Sequence, residues 1–487
     1  MSTNISLRVA AGSILALAAG LAGCTAPDLG ARPDMRAPAT LESARSLAGS
    51  AGRQAAEWPR ERWWTAYGDP QIDALVDEAL AASPDVAAAA ARIRQARGAA
   101  EMAGAEGLPQ ISGQGSTGAT KQSYNNGVPA EFVPRGWKST GTLALSGEFD
   151  LDLWGKTRAA LAAATSETQA AEADAHQAAL MLSTNVVSSY FDLARLIERD
   201  KAFEAALAAR ETVAELTQRR VAQGLDNQSP LRQARAAVAS ARVDLAANRE
   251  QIALRRHALA ALLGAGPDRG LAITPTALAS LPETPIPADA GIALAGRRPD
   301  IVAARLRAQA AGSRIDSARA AFMPDISLRG LIGLTSLGLS NLVDSGSTYG
   351  NAGAALTLPV FEGGRLRGQF RQARGGYDEA VAAYNDTVIS ALRDVADAIA
   401  SRDAAEAQER DTRQAQTDAE AAYALALQRY RGGLSSYLEV LSAQQAALAA
   451  REAAIDAHFR TLAREVALKR ALGGGFVDAT NEEASPT

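Results

Sequence analysis

The chain has 487 residues, 47% of them hydrophobic but only 5% aromatic, with a formal net charge of -4 and one cysteine. That length holds two or three ordinary domains. Charges of both signs are interspersed, which leaves no basic field for nucleic acid, and a single cysteine excludes a disulfide framework. Alanine fills the gap between hydrophobic and aromatic content, and with Leu, Gln, Arg and Glu it points to long helices that approach closely.

In chain order, the first element is an apolar run from Val9 to Ala22 behind Arg8. It is shorter than the roughly 20 residues a membrane span needs and ends in small residues, so residues 1–23 read as a secretory signal. Leu21-Ala22-Gly23-Cys24 resembles the lipobox of bacterial lipoproteins, which implies an acylated Cys24 as first mature residue; the alternative is a lone buried thiol. In that family an aspartate after the cysteine favours retention at the inner membrane, and Thr25 therefore points to the outer one. Residues 24–57 read as a lipidated N-terminus and linker. Trp58, Trp63, Trp64 and Tyr67 mark 58–83 as a packed N-terminal segment. No later stretch approaches a transmembrane helix, so the chain can enter a bilayer only as strands.

The remainder is one unit used twice. Pro84 aligns with Pro299 and Pro109 with Pro324 at one offset of 215, and Gly155, Gly224 and Gly264 align with Gly364, Gly433 and Gly473 at one offset of 209. The repeats are 84–270 and 299–473, with 271–298 as linker and 474–487 as a flexible tail. In each, a proline opens a helix and a second proline stops it. The period then changes to strand alternation: Leu143, Leu145, Phe149, Leu151 and Leu153 fall on one side and Ala144, Ser146, Glu148, Asp150 and Asp152 on the other. Each repeat supplies a strand pair, at about 109–154 and 324–362.

A helix follows in each repeat. From Lys156 to Val221 no proline intervenes, and such a helix is roughly 100 Å long at 1.5 Å per residue. From Ser435 on, Leu438, Leu441, Leu448, Ile455, Phe459, Leu462 and Val466 follow alternating spacings of 3 and 4, interrupted only at Gln445 and Glu452, which predicts a coiled-coil seam. The helices turn at Gly224-Leu225 and Gly433-Leu434. Glycine there serves a positive φ or a close backbone approach, whereas a leucine at an exposed tip gains little unless a partner covers it.

No reactive constellation stands out. His176, His257 and His458 each lie inside helical sequence, and "GAGPDRG" (Gly264 to Gly270) follows a helix instead of opening one, with Pro267 lacking a donor for a phosphate cradle. The sequence predicts neither enzyme activity, nor a metal site, nor any cofactor other than covalent lipid on Cys24. Four strands cannot close in lipid, and Ala-rich helices of this length must bury their seams against neighbours, so an oligomer is expected. A periplasmic coiled-coil scaffold would explain the helices but not the strands.

In this order, the lipobox, "WWTAYGDP" (Trp63 to Pro70), "RRPDI" (Arg297 to Ile301), "LPVFEGGRLR" (Leu358 to Arg367) and "RYRGGLSSYLEVLSAQQ" (Arg429 to Gln445) resemble the TolC-like outer-membrane efflux proteins, specifically the lipoprotein branch labelled NodT. The resemblance implies a mostly α fold with a shared membrane β-barrel: a homotrimer whose twelve strands form one barrel continued by a periplasmic helical tunnel. It implies export of drugs, metals or other small compounds with a periplasmic adaptor and an inner-membrane transporter of the RND type. A duct for type I protein secretion is the other function of this architecture. By the same resemblance the channel narrows over Tyr430 to Ser442, with Leu438, Glu439 and Ser442 at the ring positions; Arg429 would tether the closed state, its other reading being an exposed arginine at a helix end. Several relatives carry aspartate where Ser442 stands, so an acidic ring would rest on Glu439, whose other reading is a solvated helix glutamate. The adaptor would meet Gly224, Leu225, Gly433 and Leu434.

Overall fold

The computed structural model describes residues 26–47, 57–275, 286–287, 289–291 and 293–478; Cys24 lies outside them. Helix α1 spans Pro70–Ala82 and α2 Pro84–Ala105; strands β1 (Gln110–Thr120) and β2 (Lys138–Asp150) precede α3 (Lys156–Ala222) and α4 (Gln228–Leu262). The second repeat gives α5 (Pro299–Ala320), β3 (Asp325–Leu337), β4 (Thr348–Thr357), α6 (Arg365–Arg431) and α7 (Tyr437–Ala471). Helices α3 and α6 have 67 residues each, and α4 and α7 have 35 each, so the duplication preserves boundaries to the residue. Proline is absent from both 67-residue helices, and nothing else in them removes a backbone donor. Among the described residues no helix is long and apolar enough to cross a membrane.

The chain divides into two compact units. The first holds Met1–Asp34, Ile93–Ala170 and Arg305–Ala383. Its sheet is antiparallel in the order β1-β2-β3-β4, and its register puts Leu143 opposite Leu334 and Leu145 opposite Ile332. One face therefore carries Ile111, Leu143, Leu145, Leu328, Ile332 and Leu356, all exposed. The other is polar: Arg329 donates to Glu148 at 2.8 Å, the Ser112 and Ser146 hydroxyls meet at 2.8 Å, and those of Thr142 and Thr335 at 3.3 Å. Where β2 hands over to α3, Asp152 adopts φ 40° and its carboxylate accepts the N–H groups of Thr157 and Arg158, both at 3.0 Å. Burial alone would raise that carboxyl, but these donors at the helix start hold it below the usual carboxylate range. At the helical side of the sheet, Ile315, Phe322, Leu366 and Phe370 form a small core, with Phe322 edge-on to Phe370 at 6.3 Å.

The second unit comprises Met35–Arg92, Ala171–Ala304 and Tyr384–Thr487. "WWTAYGDP" is its anchor. Trp63, Trp64 and Tyr67 are buried with Val186, Val187, Tyr190 and Phe191 of α3, and Tyr67 stands edge-on to Phe191 at 5.1 Å. Asp69 caps α1 through the Gln71 N–H and accepts the buried Tyr190 hydroxyl at 2.5 Å. The hairpin of α3 and α4 is laced at heptad intervals: Arg235 donates to Gln218 at 3.5 Å, Arg242 to Glu211 at 2.8 Å and Arg249 to Glu204 at 2.5 Å.

Three expectations change. Residues 26–47 are docked: Arg374 donates to the Gly30 carbonyl at 3.0 Å, Arg36 N–H to Asn385 Oδ1 at 2.8 Å, and Leu47 is buried. A Pro- and charge-rich composition does not preclude docking when backbone groups find partners. The tail is anchored through Asp478, whose N–H donates to the Gly296 carbonyl at 3.0 Å; residues 479–487 lie outside the described set. Lastly, the leucine seam of α7 holds only in part: Leu462 and Val466 are buried and Leu441, Leu448, Ile455 and Phe459 half-buried, while nearer the tip the buried stripe is Tyr437, Val440, Gln444, Ala447, Ala454 and Ala457. Small side chains let helices approach closely within the chain, and Leu438 is left exposed.

The glycines of β3 test the sheet. A Cβ on Gly333 would stand 2.5 Å from the Leu143 carbonyl oxygen, whereas one on Gly330 would meet nothing within 4 Å. Gly333→Ala is expected to lower the thermal unfolding midpoint of the purified protein, at the overpacking cost of roughly 1–3 kcal/mol. Gly330→Ala should leave it within error of the wild type, as read by circular dichroism.

Candidate functional site

The hairpin tips of the second unit are built alike. At the end of α3 the Gly224 N–H donates to the Val221 carbonyl at 3.1 Å and the Leu225 N–H to that of Arg220 at 2.9 Å; at the end of α6 Gly433 donates to Tyr430 at 3.0 Å and Leu434 to Arg429 at 2.8 Å. This is the Schellman pattern, which satisfies carbonyls the helix end leaves open. Gly224 and Gly433 have φ values of 73° and 75°, and a Cβ on either would meet nothing within 4 Å. Of the two roles open to these glycines, positive φ is therefore the operative one and close approach is not. Across each turn a new cap begins: the Asn227 side chain accepts the Ser229 N–H, and Ser436 accepts that of Glu439.

Leu225 and Leu434 are 61% and 73% exposed. Among the described residues neither side chain is covered beyond that extent.

Arg429, Leu438, Glu439 and Ser442 are also exposed. Glu439 sits in the first turn of α7, where the helix dipole favours a carboxylate, so its position has a local reason independent of any ring. Tyr430 departs from this group: it is 1% exposed and packs with Val213, Ala234, Tyr437 and Val440. An enclosed ring cannot line an open passage, and Tyr430 is instead a tie between the two tips. Its hydroxyl donates to Asp226 Oδ2 at 3.0 Å and lies 3.2 Å from the Thr217 hydroxyl. Arg220 donates to the same Asp226 oxygen at 2.7 Å and to the Tyr430 carbonyl at 3.3 Å, with its guanidinium 4.8 Å from the ring centroid.

Burial pushes the Tyr430 hydroxyl above its ordinary pKa. The bond to Asp226, followed by Coulomb attraction, raises the Arg220 pKa against the opposing effect of burial. Asp226, Arg220 and Thr217 were not among the residues read from sequence. The signal that could have found them is the repeat itself, since Asp226 stands where the second copy has Ser435 and Thr217 where it has Ala426.

Among the described residues no group of three or more His, Cys, Asp or Glu is placed to hold a metal ion. His458 meets Glu409 at 2.9 Å within helix packing.

Known proteins resemble this chain in sequence and in fold. The model of a family described as "Outer membrane efflux protein" matches residues 75–265 and 293–474. The fusaric acid resistance protein FusA of Burkholderia cepacia is 35% identical over 375 residues, covering 75% of this chain and 69% of that one. The multidrug resistance outer membrane protein MdtP of Escherichia coli is 33% identical over 324 residues, 65% and 66% of the respective chains. Among solved structures, the outer membrane protein VceC of Vibrio cholerae superposes with a TM-score of 0.81 at 41% identity, covering 86% of this chain and all of that one. The CmeC outer membrane channel of Campylobacter jejuni gives 0.84 at 25% identity, with 94% and 97% covered.

The tip tie has a measurable strength. Tyr430→Phe keeps the packed ring but removes a hydrogen bond to a charged group, worth about 1.5–3 kcal/mol, and amide exchange over residues 214–226 should quicken about tenfold or more. Because the folded pKa of Tyr430 is raised, its contribution is complete below the unfolded value of roughly 10. It is lost as pH rises through the folded value, so wild-type exchange should show the same loosening only in strong alkali.

Proposed function

The chain belongs to the outer membrane efflux protein family, and from that premise we propose that three copies close one barrel and present six hairpin tips to a periplasmic adaptor. As a member it is an outer-membrane channel component of an efflux system, with a strand-built membrane part and a helical periplasmic tunnel. The observation that carries the trimer is the four-stranded sheet, with its exposed apolar face and with β1 and β4 at its edges. Lipid offers no partner for edge backbone groups, and outer-membrane barrels of eight or more strands meet that demand by closing; three such sheets supply twelve. The apolar face then meets lipid, and the face with Glu148, Arg329 and the paired hydroxyls lines the passage.

Energy for export comes in this reading from an inner-membrane transporter of the RND type, reached through the adaptor. The cargo is small compounds, a class supported by the names of FusA and MdtP. Cys24 would carry the lipid that holds the mature N-terminus at the outer membrane. Arg429, Leu438, Glu439 and Ser442, exposed near the second tip, supply the constriction, with Glu439 as its charge; Tyr430 contributes by tying that tip to the first. The adaptor docks on Leu225 and Leu434, with Gly224 and Gly433 fixing the turns that display them.

Two measurements test this. Leu225→Asp combined with Leu434→Asp should leave trimers intact on size-exclusion chromatography while abolishing adaptor crosslinking and drug export in cells. Adaptor capture equal to wild type would place docking elsewhere. In planar bilayers Glu439→Gln should lower the preference for cations over anions, since three carboxylates about one axis would no longer draw cations; an unchanged reversal potential would remove Glu439 from the constriction.

A further inference from the structure

The stretch "LPVFEGGRLR" links β4 to α6, where the sheet of the first unit gives way to helix. In it Val360 is 57% exposed and Phe361 90%. At the matching end of β2, Trp154 is half exposed and its indole N–H donates to the Pro324 carbonyl at 2.7 Å. Aromatic side chains collect at the two surfaces of a membrane barrel, so these rings put the edge of the hydrocarbon at this end of the sheet.

Just beyond that edge lies a group of uncompensated cations. Leu366 and Phe370 bury one stripe of α6 against Ile315 and Phe322 of α5. Arg367 and Arg371 each come one residue later and therefore share a face beside that stripe; both are exposed, as is Arg319 one turn before Phe322. Their neighbours are engaged: Arg365 pairs with Glu362 at 2.7 Å, and Arg374 with Asp378 at 2.8 Å and with the Gly30 carbonyl at 3.0 Å. Arg319, Arg367 and Arg371 have no ion pair among the described residues. Phe322, Val360, Phe361 and Leu366 line a cleft together with Arg367, and Glu362, the one carboxylate in its lining, is the partner of Arg365.

We propose that this cleft, with Arg371 beside it, binds an anionic phospholipid of the periplasmic leaflet of the outer membrane, the phosphate on Arg367 and Arg371 and an acyl chain along Phe361. The inference rests on the outer-membrane placement of the sheet and not on the number of copies. Water alone gives no reason to expose Phe361, and hydrocarbon alone would not accept Arg367. A phospholipid offers each its counterpart: the guanidinium fork matches phosphate oxygens two at a time, anionic headgroups draw basic clusters at a membrane surface, and an aromatic ring belongs where acyl chain and headgroup meet.

Native mass spectrometry of the full chain purified in detergent, with phosphatidylglycerol or phosphatidylcholine added, tests this. The wild type should retain phosphatidylglycerol at least fivefold better than phosphatidylcholine. Arg367→Gln with Arg371→Gln should abolish that preference and leave phosphatidylcholine unchanged, whereas Arg367→Lys with Arg371→Lys, which keeps both charges, should preserve it. Phe361→Ser should lower retention of both lipids at least twofold, because the acyl contact is indifferent to the headgroup. A wild type without the preference, a glutamine variant that keeps it, or Phe361→Ser without effect overturns the proposal. So does displacement of the lipid by inorganic phosphate at equal concentration, which would give the arginines to a soluble anion, and so does a glutamine variant that falls apart into single chains, which would make the face an interface between copies.

Discussion

A peptide group in hydrocarbon has no water to bond to. That constraint governs this chain, because its sheet has four strands, one apolar face and β1 and β4 at its edges. Two strand pairs leave those edges open within one chain, and the trimer proposed above answers the same demand for the helices. Helices with alanine-rich stripes and scattered exposed leucines have no complete core inside one chain. Alanine faces are what remain useful when both sides of a contact are helices of the same kind, since a small side chain permits close approach without a bulky partner to fill.

Duplication gave the molecule one scaffold twice; the strand pairs differ in length between the copies, while in the long helices divergence acted on the side chains. Helix lengths, the Schellman turns and the exposed leucines after them are the same in both copies. Charged residues are not: Asp226 faces Ser435 across the repeat, Arg199 faces Gln408, and Glu204 faces Arg413. Conserving the helix backbone while varying its polar decoration lets chemically different contacts occupy geometrically equivalent places.

Much of this was legible in the sequence, where backbone rules act locally. Pro84 and Pro299 do begin helices, the alternation of Leu143, Leu145 and Phe149 does mark a strand, and Gly224 and Gly433 do end helices, since each depends on near neighbours alone. The leucine pattern of α7 marks its burial only at Leu462 and Val466, because nearer the tip the chain buries the small Ala447, Ala454 and Ala457 and turns Leu438 outward. Residues 26–47 looked like a tether, since nothing in their composition names Asn385 or Arg374 as partners. The tie at the tips is harder to read: Tyr430 and Asp226 are 204 residues apart, and only the departure of Asp226 from its repeat counterpart Ser435 marks the place.

The lacing of the first hairpin sets a problem that the turn must solve. Arg235, Arg242 and Arg249 recur every seven residues, and so do Gln218, Glu211 and Glu204 opposite them. Sliding α4 by one heptad would set Arg235 against Glu211 and Arg242 against Glu204, leaving only Arg249 facing Ile197. The ladder is thus nearly as content one step out of place, like a zip that closes with a tooth skipped. What forbids the slip is the stretch between Ala222 and Gln228, closed by the Gly224 and Leu225 bonds and the Asn227 cap, which has no slack for seven residues. A few backbone hydrogen bonds at the tip therefore act as the ruler for an entire hairpin, and an inserted residue there would misalign rungs tens of ångströms away.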